Sequence, residues 1–293
     1  MHLLVPARLT QRDLNILVMA YEYDGVTIQH IRRRFFPNSR SHTSCSERVS
    51  RLVQAGYLRS HRLPPLSGVG SGPLFFTLDR GGRPLVAKAL GLSEAELARA
   101  TRKAAHFVLR HHLALCDLRL SLELAVQRSP EFTIIDWVGD RQLVLRASDS
   151  NGEGHVQLIP DASLTLMLSG GREEVVYIEM DMGTTSRRRV RTKLRAYLSL
   201  AEPSRRPVLW IVPGEERRAA VALWAREEAQ HLDTDPSLFW LSSLPTLSEH
   251  TVFDAPVWHI VGGPAVALKS MAAGIAQSLS AVAAPAPSGG RSK

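Results

Sequence analysis

The sequence predicts an α+β, α/β-type protein in two parts: a winged helix-turn-helix, then a domain of alternating strands and helices. Three observations carry this reading. Three amphipathic helical patterns precede a pair of short strands around a Pro/Gly-rich tip. Beyond Pro130 the pattern switches to short β-rich runs interleaved with helices. The basic charge is concentrated in the first third of the chain.

The elements follow in order. Residues 9–24 read as a helix, with Thr10 as N-cap, Asp13 near the positive helix end, and Leu14, Leu17, Val18 and Tyr21 on one stripe. Val26 to Phe35 reads as a second helix, closed by Pro37 and Asn38. Ser41 to Ala55 reads as a third, with Val49, Leu52 and Val53 inward and Gly56 after its end. Tyr57–Arg59 and Leu74–Leu78 are the wing strands, separated by Pro64 through Pro73. The third helix would enter a major groove. Its outward Ser44, Ser46, Glu47, Arg48 and Arg51 could then reach phosphates or base edges. Arg59 and Arg62 would touch the backbone, and Arg33 lies in the basic run Arg32–Arg34. Such domains also serve as protein–protein modules, and a run of arginines also serves as a solvated face.

A short helix through Arg102 and a long one from about Ala105 to Gln127 follow. The long helix is apolar around most of its circumference, as expected of one buried between layers. Phe132–Trp137, Gln142–Arg146, Ala162–Leu168 and Val175–Asp181 read as strands. Helices are expected over 185–200 and 215–230, with strands at Pro207–Val212 and Leu238–Leu241. These patterns place one domain at 1–90 and a second at 91–265, with an Ala-rich disordered tail at 266–293.

Of the 293 residues, 36 are Lys or Arg and 28 Asp or Glu, a net charge of +8. Residues 1–110 hold 17 basic and 7 acidic side chains, a balance of +10, and the rest balance at −2. That asymmetry points to a polyanionic partner, nucleic acid first and a membrane surface second, and the winged helix would take double-stranded DNA. No stretch approaches the ~18 apolar residues of a membrane span, and the start does not read as a signal peptide. Two cysteines exclude a disulfide framework and a cysteine-built zinc site. A cytoplasmic location is expected. Neither a nucleotide-binding glycine loop nor a Gly-x-Ser-x-Gly elbow occurs.

The chemistry-bearing residues are carboxylates. Strand periodicity puts Glu179 and Asp181 on one face, and Asp161 opens a neighbouring strand. Three converging acids are hard oxygen ligands for Mg²⁺ or Mn²⁺, metals that activate water and stabilise phosphate charge. On the next helix Val190, Lys193, Leu194 and Tyr197 form the inward stripe. Lys193 would meet those acids and could steady a scissile phosphate. Arg188 and Arg189 on the outer faces could hold a DNA backbone. The alternative is purely structural: a turn-capping Asp161, with Glu179 and Asp181 as ion-pair partners.

The winged helix, His112-Leu-Ala-Leu-Cys-Asp117, Pro160-Asp161-Ala162, Glu179-Met-Asp181-Met-Gly183-Thr184 and Lys193-Leu-Arg-Ala-Tyr197 occur in an order that resembles the plasmid replication-relaxation family, over roughly residues 9–230. The C-terminal half of that family is similar to PD-(D/E)xK restriction-endonuclease-like domains. The resemblance implies a mixed sheet with flanking helices and a metal-dependent phosphodiesterase site, with Asp161 and Glu179 as its motif acids. The sequence departs from PD-(D/E)xK where Asp181 replaces the usual lysine; Lys193 could substitute from the helix. Cys116 and Met182 stand where the family commonly has Asn and Arg. His112 and Asp117 match the family block and would anchor the long helix or meet the site.

Two functions follow. One is a DNA-binding protein of plasmid or mobile-element replication that nicks or cleaves DNA with Mg²⁺ or Mn²⁺. The other is a non-catalytic replication or transcription regulator. Its second domain would be a dimerisation or docking platform, forming a homodimer or recruiting replication or relaxase proteins.

Overall fold

The computed structural model describes residues 9–37, 42–63, 72–93, 95–97, 109–129, 131–140, 143–148, 155–168, 171–201 and 204–273. The expected wing tip at 64–71, most of the short helix through Arg102, residues 105–108 and the end of the expected tail at 274–293 lie outside these. The protein is α+β, and the chain divides into two compact units, Met1–Leu120 and Ser121–Lys293.

The first unit is built from α1 (Gln11–Glu22), β1 (Val26–Thr27), α2 (Ile28–Phe35), α3 (His42–Gln54), β2 (Leu58–Arg62), β3 (Leu74–Leu78) and α4 (Arg83–Leu90). Thr10 and Asp13 form the capping box of α1, each side chain satisfying the other's backbone N–H. The buried face of α1 is Ile16, Leu17, Met19 and Ala20, rotated from the stripe expected around Leu14 and Val18. The expected second helix starts two residues late because Thr27 caps it: Thr27 Oγ1 accepts from His30 N at 3.4 Å, and His30 Nδ1 accepts from Thr27 N at 3.2 Å. That frees Val26–Thr27 to pair with Phe75 and Phe76. The strands form an antiparallel sheet in the order β1-β3-β2. Helix α5 (Leu109–Val126) begins in this unit; its Cys116 thiol donates to the Tyr23 carbonyl at 3.7 Å.

The second unit is organised by a seven-stranded mixed sheet, ordered β12-β11-β10-β9-β8-β7-β4. Its strands are β4 (Phe132–Gly139), β7 (Ala162–Leu168), β8 (Glu173–Met180), β9 (Val208–Val212), β10 (Phe239–Ser243), β11 (Trp258–Ile260) and β12 (Ala265–Val266). Strands β8, β9 and β10 are mutually parallel, and the other pairings are antiparallel. Parallel neighbours need crossovers, and two helices supply them: α6 (Arg187–Leu198) after β8 and α7 (Glu215–His231) after β9. Both pack into one core with Tyr177, Trp210, Val212, Phe239 and Leu241. The all-apolar β9 is buried throughout, as a central parallel strand must be. A two-stranded hairpin, β5 (Leu145–Ser148) and β6 (His155–Leu158), stands apart from the main sheet.

Residues 266–273 had been expected to begin a disordered tail. They are folded instead: Val266 pairs with Trp258, and Leu268 and Met271 are buried. Two apolar side chains spaced three apart on one helical turn suffice to dock that segment. Among the described residues no helix is long and apolar enough to cross a membrane.

Candidate functional site

Glu179 and Asp181 lie at the C-terminal end of β8 and Asp161 at the entry to β7, while Lys193 reaches Glu179 from α6. In open α/β sheets, ligands bind at the C-terminal strand ends. Asp161 precedes β7, where its N–H donates to the Ile178 carbonyl at 3.0 Å. Its Oδ2 accepts from the Met180 N–H at 2.7 Å, holding the carboxylate against the last turn of β8. Glu179 is 3% exposed. Its Oε2 lies 2.5 Å from Lys193 Nζ, and its Oε1 accepts from the Tyr197 hydroxyl at 2.5 Å. Lys193 and Tyr197 are four residues apart on α6, so they reach the same carboxylate from successive turns.

The electrostatics tie these groups together. Burial pushes the Glu179 carboxyl up to about 8; the Asp161 charge adds to the rise, while Lys193 and Tyr197 oppose it. Burial alone would lower the Lys193 ammonium, but Glu179 and Asp161 more than offset that and raise it. Asp140 adds a smaller pull. Burial and Glu179 push the Tyr197 phenol well above its usual range, so it remains a hydrogen-bond donor.

Asp181 does not join this cluster. It lies one residue beyond β8 and is 6% exposed. Its Oδ2 accepts from Arg217 Nε at 2.8 Å and its Oδ1 from the Gly183 N–H at 2.8 Å. Arg217 stands in the first turns of α7, a partner that sequence spacing gave no means of locating. Among the described residues no group of three or more His, Cys, Asp or Glu side chains could hold a metal ion. The expected three-acid arrangement is therefore an acid–acid–lysine cluster of Asp161, Glu179 and Lys193. Two carboxylates fit Mg²⁺ in one respect: that ion is commonly held by one or two protein carboxylates, with water and substrate phosphate filling its other positions.

Beside this cluster lies a groove of about 560 Å³, lined by Gln157, Leu158, Ile159, Ser186, Arg188, Arg189, Thr192, Lys193 and Ala196. The arginines of α6 divide into two sets. Arg191 and Arg195 bind the fully buried Glu228, with Arg191 Nε at 2.5 Å and Arg195 Nη2 at 2.7 Å. Arg187 lies 3.6 Å from Glu227 and over the Trp224 ring. Arg188 and Arg189 are exposed and have no ion pair among the described residues.

In the first unit, Ser44, Ser46 and Arg51 are exposed on α3, and Arg59 and Arg62 on β2. Arg51 lies 3.8 Å from Glu47, and Arg59 lies 3.1 Å from Asp79. Arg48 departs from the expected outward position. Its guanidinium turns to Asp13, with Nε at 2.5 Å from Oδ1 and Nη2 on Oδ2. The cause is the complete burial of the Asp13 carboxylate, which requires a counterion. Arg33 and His30 both reach Asp117 Oδ1, at 3.0 and 3.2 Å. His112 Nε2 is 3.4 Å from the Cys116 sulfur. Asp117 thus ties α5 to α2, and the His112 ring packs edge-on against Phe75 of β3, 5.8 Å between centroids.

The family model described as replication-relaxation matches residues 17–207. That span covers α1 through the approach to β9, and so includes Asp161, Glu179, Lys193 and Tyr197. No curated protein and no solved structure matches the chain. With well over half its length matched, the chain belongs to the replication-relaxation family.

Proposed function

We propose that this protein binds duplex DNA through its first unit and cleaves a phosphodiester bond at Asp161, Glu179 and Lys193 in the second. Family membership gives the setting, replication and relaxation of plasmid or mobile-element DNA. One observation carries the catalytic reading: two acids and a lysine share one cluster, beside a groove with two arginines that have no ion pair among the described residues. In this reading the cluster would supply the acids and the lysine of a PD-(D/E)xK site, with the lysine coming from α6 instead of the strand.

In this reading Asp161 and Glu179 would hold Mg²⁺ or Mn²⁺. When bound, the ion would lower the pKa of a water and offset charge building on the phosphate. The residues' own contributions follow from their contacts. The Met180 N–H orients the Asp161 carboxylate. Tyr197 fixes Glu179 through a donated hydrogen bond and leaves its rotamer little freedom. Lys193 stays protonated because two carboxylates face it, and its ammonium is available to a phosphate oxygen. Asp181 is committed to Arg217, so it serves to fasten α7 to the end of β8.

The first unit supports the DNA-binding part. Its element order, α1-β1-α2-α3-β2-β3, supports a winged-helix reading, and α3 and β2 present Ser44, Ser46, Arg51, Arg59 and Arg62 to solvent. The test is a plasmid-nicking assay with Mg²⁺ or Mn²⁺. Wild-type protein should convert supercoiled plasmid to open circles. Asp161→Ala should abolish this, and Lys193→Met should reduce it by about 10²-fold, with duplex affinity within twofold of wild type.

A second reading rests on a different observation: both Glu179 oxygens already have partners. A regulator with a closed, nuclease-like second unit would bind DNA and leave the plasmid supercoiled under every metal condition.

A further inference from the structure

Helix α6 carries five arginines and one lysine between 187 and 195, but only some of them have structural work to do. Glu227 and Glu228, both on α7, take up Arg187, Arg191 and Arg195. Lys193 belongs to Glu179. Arg188 and Arg189 remain exposed, with no ion pair among the described residues, and both line the groove between α6 and the end of β6. Ser186 and Gln157 line the same groove, and their hydroxyl and amide can donate to anionic oxygens, while the Thr192 hydroxyl already donates to the Arg188 carbonyl at 3.0 Å. Next to Gln157, Leu158 and Ile159 give the lining an apolar part. Leu158 is buried, and Ile159 is 44% exposed, one of the few large apolar side chains that solvent reaches.

We infer that this groove is a second DNA-contact site. It would seat one strand, with Arg188 and Arg189 on consecutive phosphates and the Ile159 wall against sugar and base edges. The chemistry matches the lining. Paired guanidiniums recognise phosphodiester oxygens bidentately, and neutral donors complete the contact. An apolar wall gives nothing to phosphate but suits the less polar side of a strand. The cavity volume falls within the range of sites that enclose one small organic unit, here a nucleotide of the strand. Lys193 also lines the groove, so a strand seated in it lies beside the residue that contacts Glu179. The inference deepens the proposed cleavage site by naming what delivers the phosphate, but binding at the groove does not itself require cleavage.

The test measures binding by the full-length protein in EDTA, so that no cleavage occurs. Fluorescence anisotropy is recorded with a labelled 20-nucleotide single strand and with the matching duplex, across a salt series. Arg188→Ala/Arg189→Ala should weaken single-strand binding at least tenfold. It should also flatten the plot of log affinity against log salt by about 1.4, two phosphate contacts at roughly 0.7 each. Arg51→Ala/Arg59→Ala should leave single-strand binding within twofold and weaken duplex binding. Loss of duplex binding alone in the Arg188/Arg189 variant would still support the groove, with duplex as the source of the strand. Affinities within twofold of wild type for both DNAs, with circular dichroism unchanged, would overturn the inference. Because no metal is present, a plasmid that is never nicked would count against cleavage and leave this result standing.

Discussion

Asp13 illustrates how a single buried charge reassigns a residue's role. Its carboxylate is fully buried beneath the N-terminus of α1. Burial raises it, and hydrogen bonds from Arg48 and Thr10 more than offset that, so it is held below the usual carboxylate range. Arg48 is consequently a structural counterion to Asp13. Removing it in Arg48→Ala would strand a buried charge and should cost about 3 kcal/mol in urea unfolding. The pH dependence has a definite sign. Because the folded carboxyl titrates below its unfolded value of 3.8, the pair's stabilisation is fully present above that value and is lost as pH falls through the folded one. The variant should lose most of that acid-limb dependence. At this scale the sequence was legible for short-range chemistry: the Thr10–Asp13 cap and the inward Lys193 are read from spacing of three or four residues. It was silent on Arg48–Asp13 and Arg217–Asp181. Those partners lie 35 and 36 residues apart, and no local periodicity encodes which carboxylate a given arginine will meet. The i, i+4 relation of Lys193 and Tyr197 was the one available hint that both serve Glu179.

At the scale of elements, helices and central strands were largely legible because burial writes a period into them. Ala162–Leu168 is the strand that alternation predicts, and β9 is the continuous apolar run of a central strand. The short elements were not legible. Val26–Thr27 has too few residues to show alternation, and its strand character comes from Phe75 and Phe76 across the sheet. The same holds for β11, β12 and the β5–β6 hairpin, whose pairing is decided by partners and not by their own sequence. The tight join between α1 and β1 offers a test. Gly25 has φ +112°, and a Cβ there would overlap the Phe75 ring. Gly25→Ala should therefore destabilise the protein by about 2 kcal/mol, read as a lowered Tm. A substitution at Gly91 also meets a positive φ, but with open space around it, and should cost less.

For the whole molecule, charge gains meaning through its distribution. The N-terminal excess supplies the exposed α3 and β2 face, while the nearly neutral remainder conceals a basic helix whose arginines are mostly neutralised by α7. The two arginines left over mark the groove, which shares Lys193 with the acid–acid–lysine cluster. Family membership, the element order of the first unit and that cluster are the three observations on which the proposed strand cleavage rests. The most direct measurement is conversion of supercoiled plasmid by full-length protein in Mg²⁺ and Mn²⁺, run beside Asp161→Ala and with duplex binding checked in the same samples. The account predicts open circles with wild type and none with Asp161→Ala. Wild-type protein that binds the plasmid yet leaves it supercoiled in both metals would contradict it.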